Sequence, residues 1–172
     1  MDEGSVREVP DRWSNAEACA VGASGAISWV SLVLTAKLQK VETVLVLRRA
    51  GCDRGADCEG GRSEGYRGVG DKEKAKIVRG LGADEVVGHN LPRWKGRVKE
   101  LTEGVESVDV VYGAVGAVES GLKCLKCRGR VVIVGFAGRG DRIEEVEANR
   151  ILLKAETVVG YVTIDNLLSV RC

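Results

Sequence analysis

Short apolar runs alternate with segments of helical period along most of this 172-residue chain, and that alternation leaves very few folds open to it. Residues 43–47, 83–87, 108–112, 130–136 and 157–162 read as strands, and 67–70 as a strand remnant. Val44 to Leu47 is apolar at every position, as suits a strand covered on both faces of a parallel sheet. Between the strands, Ala75, Val78 and Leu81 fall on one face of a helix over 72–81 that Gly82 ends. Val98 and Leu101 do the same over 95–102, and 118–127 and 149–154 give two further helices. Strands alternating with helices predict βαβ units, hence an α/β fold with a doubly wound parallel sheet. The right-handed crossover rule leaves few ways to wind it.

The pattern fails in one place. From Arg48 to Tyr66, beyond the first strand, the chain carries Gly51, Gly55, Gly60, Gly61 and Gly65 with no apolar period. At roughly 1 kcal/mol per glycine against a helix, these would cost about 5 kcal/mol, close to the low end of a whole domain's stability. The helix that should follow the first strand is not expected to form, so the sheet is predicted to be incomplete at its first βα unit. A shifted reading frame over 48–66 is one explanation. Codons permitted for residues 48–59 can be chosen so that a one-base shift reads Gly-Ala-Arg-Gly-Val-Ile-Gly-Val-Leu-Thr-Val-Lys, a glycine turn with the start of an apolar helix. A genuine glycine-rich insert is the other.

Upstream, Ser14 and Glu17 stand at capping-box spacing, and a second helix over 23–37 would turn Ile27, Val30, Leu34 and Leu38 to one side. Apolar residues make up 44% and charged residues 30%, which is ordinary for a globular domain. The net charge is +1 with the signs interspersed, which gives no electrostatic footprint for nucleic acid or an acidic membrane. The apolar stretch 18–34 is broken by Gly22, Ser24, Gly25, Ser28 and Ser31, as in a packing helix rather than a membrane span. The polar N-terminus has no signal-peptide core, and a cytoplasmic location is expected. Cys124 and Cys127 form a C-x-x-C, but no second pair stands at zinc spacing and His89 is the only histidine, so no metal site is expected. The pair reads as a helix end, with cysteine serving as a small apolar residue.

In chain order, AKLQKVETVLV (36–46), LGADEVV (81–87), VKELT (98–102), VDVVY (108–112), Val115-Gly116, GRVVIVGFAG (129–138) and NRILLK (149–154) through Val159-Gly160 form a set. Together they resemble the cofactor-binding half of the medium-chain dehydrogenase/reductase superfamily, in its zinc-free quinone-oxidoreductase branch. The resemblance implies a Rossmann-like fold. Residues 41–172 would be the dinucleotide-binding domain, 1–40 a lead-in with helices, and the family's catalytic domain would be absent. It also implies an NADPH-dependent oxidoreductase that reduces quinones or conjugated carbonyls by hydride transfer, with no catalytic metal. Family dimers often form along this domain, so a homodimer is expected. A reading of another class stands beside it: a non-catalytic remnant or interaction subunit that has lost cofactor binding, the chain alone being inactive. Strand 130–136 would then supply a hydrophobic interface edge or, unpaired, an aggregation hazard.

The family's phosphate turn, A/G-x-x-G-x-x-G after the first strand, is what 48–66 fails to reproduce. Other family positions have counterparts. Lys74 matches the lysine that contacts the 2′-phosphate of NADPH, although Lys72, Lys74 and Lys76 also read as a solvated helix face, and Asp71 leaves room for NAD. His89 falls where the family carries a tyrosine near the adenosine phosphate, and also reads as an exposed loop residue. Val115 and Gly116 follow the fourth strand, and Gly135, Phe136 and Ala137 the fifth, at the edge where ligands bind an open α/β sheet. They would border the nicotinamide, or serve as ordinary strand-to-helix turns. Tyr112, at a strand end, reads better as a strand aromatic than as an acid, and no catalytic residue is identified.

Overall fold

In the computed structural model the described residues are 8–47, 65–69, 72–80, 82–88, 92–102, 107–136 and 144–162. A helical run opens at α1 (Asn15–Ala20), where Ser14 and Glu17 form the expected capping box. The Glu17 N–H donates to Ser14 Oγ at 3.3 Å, and the Ser14 N–H donates to the Glu17 carboxylate at 2.9 Å. The run continues through a π-helical turn (Val21–Gly25), α2 (Ala26–Trp29) and a second π-helical turn (Val30–Thr35). Those turns change which face is buried. Bonds five residues apart, such as Ala36 N–H to Ser31 O at 2.8 Å, wind the chain more widely than an α-helix does. Leu34, expected inward, is 58% exposed, while Ser28, Ser31, Leu32 and Ala36 are buried. Ser31 tolerates burial because its hydroxyl donates to Ile27 O at 2.6 Å and Ser28 O at 3.1 Å.

The strands are β1 (Val44–Leu47), β2 (Gly65–Val69), β3 (Glu85–Gly88), β4 (Val108–Gly113), β5 (Leu125–Ile133) and β6 (Thr157–Gly160). Their order is β3-β2-β1-β4-β5-β6, and every neighbouring pair is parallel. The helices between them are α3 (Lys72–Gly80), α4 (Trp94–Leu101), α5 (Val118–Leu122) and α6 (Ala148–Lys154). The doubly wound parallel sheet is as the sequence predicts. β4 is buried at every position because both of its faces are covered. On one face Leu45, Leu47, Val111 and Val131 pack with Val98 of α4, Val118 and Leu122 of α5 and, partly buried, Ile151 of α6. On the other, Val44, Val110, Tyr112 and Val132 pack with Leu32 and Ala36 of the helical run.

At the amino edge of the sheet, Arg130 joins three segments. Its guanidinium donates to Glu42 Oε1 at 2.9 Å, to Glu42 Oε2, to Ala36 O and to Lys37 O at 3.2 Å. Beside it, Asp109 Oδ2 accepts the Thr43 N–H at 3.0 Å, and Lys126 pairs with its other oxygen.

Several expectations need correction. Gly65 and Tyr66 belong to β2, paired with Val44 and Leu45, so regular structure resumes earlier than the pattern suggests. The missing first helix and the reading-frame shift, read over 48–66, lie outside the described residues except for Gly65 and Tyr66. The helix expected over 118–127 stops at Leu122. Cys124 N–H closes a turn onto Gly121 O at 2.8 Å, and Leu125 already pairs with Val108. β5 then bulges between that pair and Val110–Arg130, with Arg128 at φ 62°. Cys124 is therefore buried in a turn and Cys127 exposed on the bulge, rather than both ending a helix. Burial pushes the Cys124 thiol up to about 11, against the pull of Lys95, Lys99 and Lys154, so it packs as a neutral group. Residues 130–136 do not form an edge, since β5 lies between β4 and β6; among the described residues the outer strands are β3 and β6. No helix among the described residues is long and apolar enough to cross a membrane.

Candidate functional site

Strand order reverses between β1 and β4, and the crevice beyond their carboxyl ends is where an open α/β sheet receives ligands. Leu47 and Gly113 are partners in register there, and Ala114 N–H donates to Leu47 O at 3.2 Å. Beyond β4 the chain turns sharply into α5 through Gly116 (φ 80°) and Ala117 (φ 68°). Two consecutive residues in the left-handed region make a tight corner, and glycine takes the first of them without strain.

The segment beyond β5 closes onto this corner. Val134 N–H donates to Gly113 O at 2.9 Å, Gly116 N–H donates to Gly135 O at 3.0 Å, and Val115 bridges Phe136 in antiparallel fashion. Gly135 eases the approach: a Cβ there would lie 3.0 Å from the Ala114 carbonyl oxygen, a tight contact against backbone. Four of the residues singled out from sequence, Val115, Gly116, Gly135 and Phe136, are thus brought together. Phe136 is 53% exposed, so an apolar face stands beside bare backbone at the rim. An exposed apolar ring beside backbone that carries no side chain suits a flat ring as its ligand.

Lys74 is the third residue of α3, the helix that follows β2, and its side chain is outside what is described. His89 and Ala137 fall outside the described residues, as does the segment 48–64 after β1. Tyr112 is 5% exposed, with its hydroxyl 3.1 Å from Ser28 Oγ, and packs toward the helical run. It serves the core. Among the described residues no group of three His, Cys, Asp or Glu is placed to hold a metal ion.

One set of residues beside the site escaped the sequence reading. Glu119 N–H donates to Glu144 Oε1 at 3.3 Å, and Glu147 N–H donates to Glu119 Oε2 at 3.3 Å. Glu119 Oε1 also pairs with Lys123 Nζ at 2.9 Å and Arg150 Nε at 3.5 Å, and Arg150 reaches Glu147 at 3.3 Å. The Lys123 bond, with the Glu147 amide and Arg150 adding to it, holds the Glu119 carboxyl below its ordinary value despite partial burial. These partners are 25 and 28 residues apart, and no local pattern announces them.

Residues 68–168 match the family described as zinc-binding dehydrogenase. The quinone oxidoreductase-like protein 2 homolog of Nematostella vectensis is 32% identical over 168 residues, covering 93% of this chain and 44% of that protein. The quinone oxidoreductase-like protein 2 of Bos taurus is 31% identical over 165 residues, covering 92% of this chain and 46% of that protein. The chain thus spans less than half the length of these relatives. The quinone oxidoreductase of Thermus thermophilus, whose structure is also known in complex with NADPH, superposes with a TM-score of 0.77 at 23% identity. That match covers 97% of this chain and 53% of the other, and shows the shared fold. On the family match and these identities, the chain belongs to the zinc-binding dehydrogenase family, in the quinone-oxidoreductase branch of the medium-chain dehydrogenase/reductase superfamily.

Proposed function

We propose that this chain is the NADPH-binding part of an oxidoreductase that reduces quinones or conjugated carbonyls by hydride transfer. The observation that carries it is the convergence of Val115 and Gly116 with Gly135 and Phe136 at the carboxyl edge, beside the reversal of strand order. NADPH, when bound, supplies the hydride. The protein's part at this edge is to hold the nicotinamide flat against Phe136, where Gly116 and Gly135 leave the backbone free of side chains. We assign Ala137 to the same border, Lys74 to the 2′-phosphate and His89 to the neighbourhood of the adenosine phosphate. Residues 41–172 form the dinucleotide-binding domain, and 1–40 a lead-in whose helical run covers one face of the sheet. A cytoplasmic location and pairing of two copies belong to the same proposal. With β5 interior, that pairing falls to an outer strand such as β6.

Residues 48–64 favour a second reading. They lack the family's phosphate turn, and a chain without it would be a non-catalytic remnant or interaction subunit. Fluorescence titration of the purified chain with NADPH, and with NADH beside it, separates the two. Saturable binding near the micromolar range, tighter for NADPH, supports the cofactor domain. No binding at millimolar cofactor removes that reading and leaves the remnant.

A further inference from the structure

We propose that Glu119 is a positioning residue for the nicotinamide edge: it fastens the far end of the β5–α6 connection to the same turn that holds its near end. The inference rests on the cofactor-site reading of that edge. The connection leaves β5 at Phe136, which bridges Val115 on the β4–α5 turn. It is described again at Glu144, and α6 begins after Glu147. Glu119 is the second residue of α5, directly beyond Gly116 and Ala117.

The fastening is reciprocal. The Glu119 amide donates to the Glu144 carboxylate and the Glu147 amide donates to the Glu119 carboxylate, both at 3.3 Å, so each segment supplies one donor and one acceptor. Lys123 and Arg150 offset the charge: Lys123 holds Glu119 from the residue that caps the end of α5, and Arg150 reaches both Glu119 and Glu147 from α6. A carboxylate whose side chain is only 20% exposed and which two cations and an amide orient loses little freedom by staying in place. Both ends of the connection are therefore referred to one rigid corner, the corner whose Gly116 amide is bonded to Gly135. Ligand-binding edges gain affinity when their geometry is set before the ligand arrives, and Glu119 supplies that setting here from outside the contact surface.

The test uses the full chain with Glu119→Ala, Glu119→Gln and, as a control at the opposite edge of the sheet, Arg130→Met. NADPH affinity is read by fluorescence, amide hydrogen exchange at Gly116 and Glu147 by NMR, and stability by thermal unfolding. The expectation for E119A is faster exchange at both amides and an affinity about tenfold weaker. E119Q keeps a carbonyl to accept the Glu147 N–H and loses about threefold or less. R130M lowers the melting temperature at least as much, with affinity kept within about twofold. The proposal is overturned if E119A leaves exchange at Gly116 and Glu147 unchanged, or if E119A and R130M weaken NADPH binding alike. Wild-type protein that binds no NADPH overturns the cofactor-site reading itself and the positioning role with it. The wild-type titration therefore tells that failure apart from failure of the clamp alone.

Discussion

Arg130→Met would break the polar junction at the amino edge while keeping the apolar stem of the side chain. Four hydrogen bonds leave the guanidinium, two to Glu42 and one each to the carbonyls of Ala36 and Lys37. Methionine makes none of them, so a carboxylate and two carbonyl groups lose their partner together. Removing one member of a fully buried pair costs about 3–5 kcal/mol. Here the side chains of Arg130 and Glu42 are 19% and 16% exposed, so water recovers part of the loss. A cost of about 2–3 kcal/mol is expected. For a domain of this size that lowers the melting temperature by about 5–10 °C. Glu42→Gln keeps an acceptor and should lose about 1 kcal/mol. The double variant should lose less than the sum, because the two side chains act on one another. Chemical unfolding followed by circular dichroism, on the singles and the double, measures all three. An Arg130→Met loss under about 0.5 kcal/mol, or strict additivity, would refute the view that this junction ties the helical run to the sheet.

Gly121→Ala would put a Cβ 2.9 Å from Val111 Cγ1, which is fully buried under α5, and overpacking there should cost about 1–3 kcal/mol by chemical unfolding. Tyr112→Phe strands the buried Ser28 hydroxyl and should cost about 1 kcal/mol while leaving cofactor affinity unchanged in the NADPH titration. Glu156 is a pH prediction. Its side chain is wholly buried with Lys154 Nζ 3.6 Å away, and burial raises its carboxyl above the ordinary 4.5. The folded chain thus holds this proton more tightly than the unfolded one, so the group's stabilising contribution is complete below the unfolded value and is lost as pH rises through the folded value. Glu156→Gln, which mimics the protonated acid, should raise the melting temperature at pH 8 and leave it unchanged at pH 4. A rise of equal size at both would reject the assignment.

What the sequence made legible follows from the range of each interaction. Apolar runs reveal a parallel strand because both of its faces are covered, so β1 and β4 were plain from composition alone. The Ser14–Glu17 capping box was equally plain, since its partners are three residues apart. The buried face of the helical run was not: its π-helical turns come from backbone bonding, and a 3.6-residue period sent Leu34 inward wrongly. The early end of α5 and the bulge in β5 depend on Leu125 pairing with Val108, which no local pattern encodes. At the candidate site, the resemblance singled out glycine and aromatic positions after β4 and β5, and Val115, Gly116, Gly135 and Phe136 do meet in space. The Glu119, Glu144, Glu147 and Arg150 set could not be singled out, because its ties form only once two connections meet in space.

Hydrogen exchange of the chain with and without saturating NADPH, resolved residue by residue, tests the proposed cofactor edge directly. Slower exchange at residues 114–117 and 134–136, with no change at the Arg130–Glu42 junction on the opposite edge, is the predicted result. Unchanged exchange at those two turns in the presence of bound cofactor, or protection confined to other parts of the chain, would contradict it.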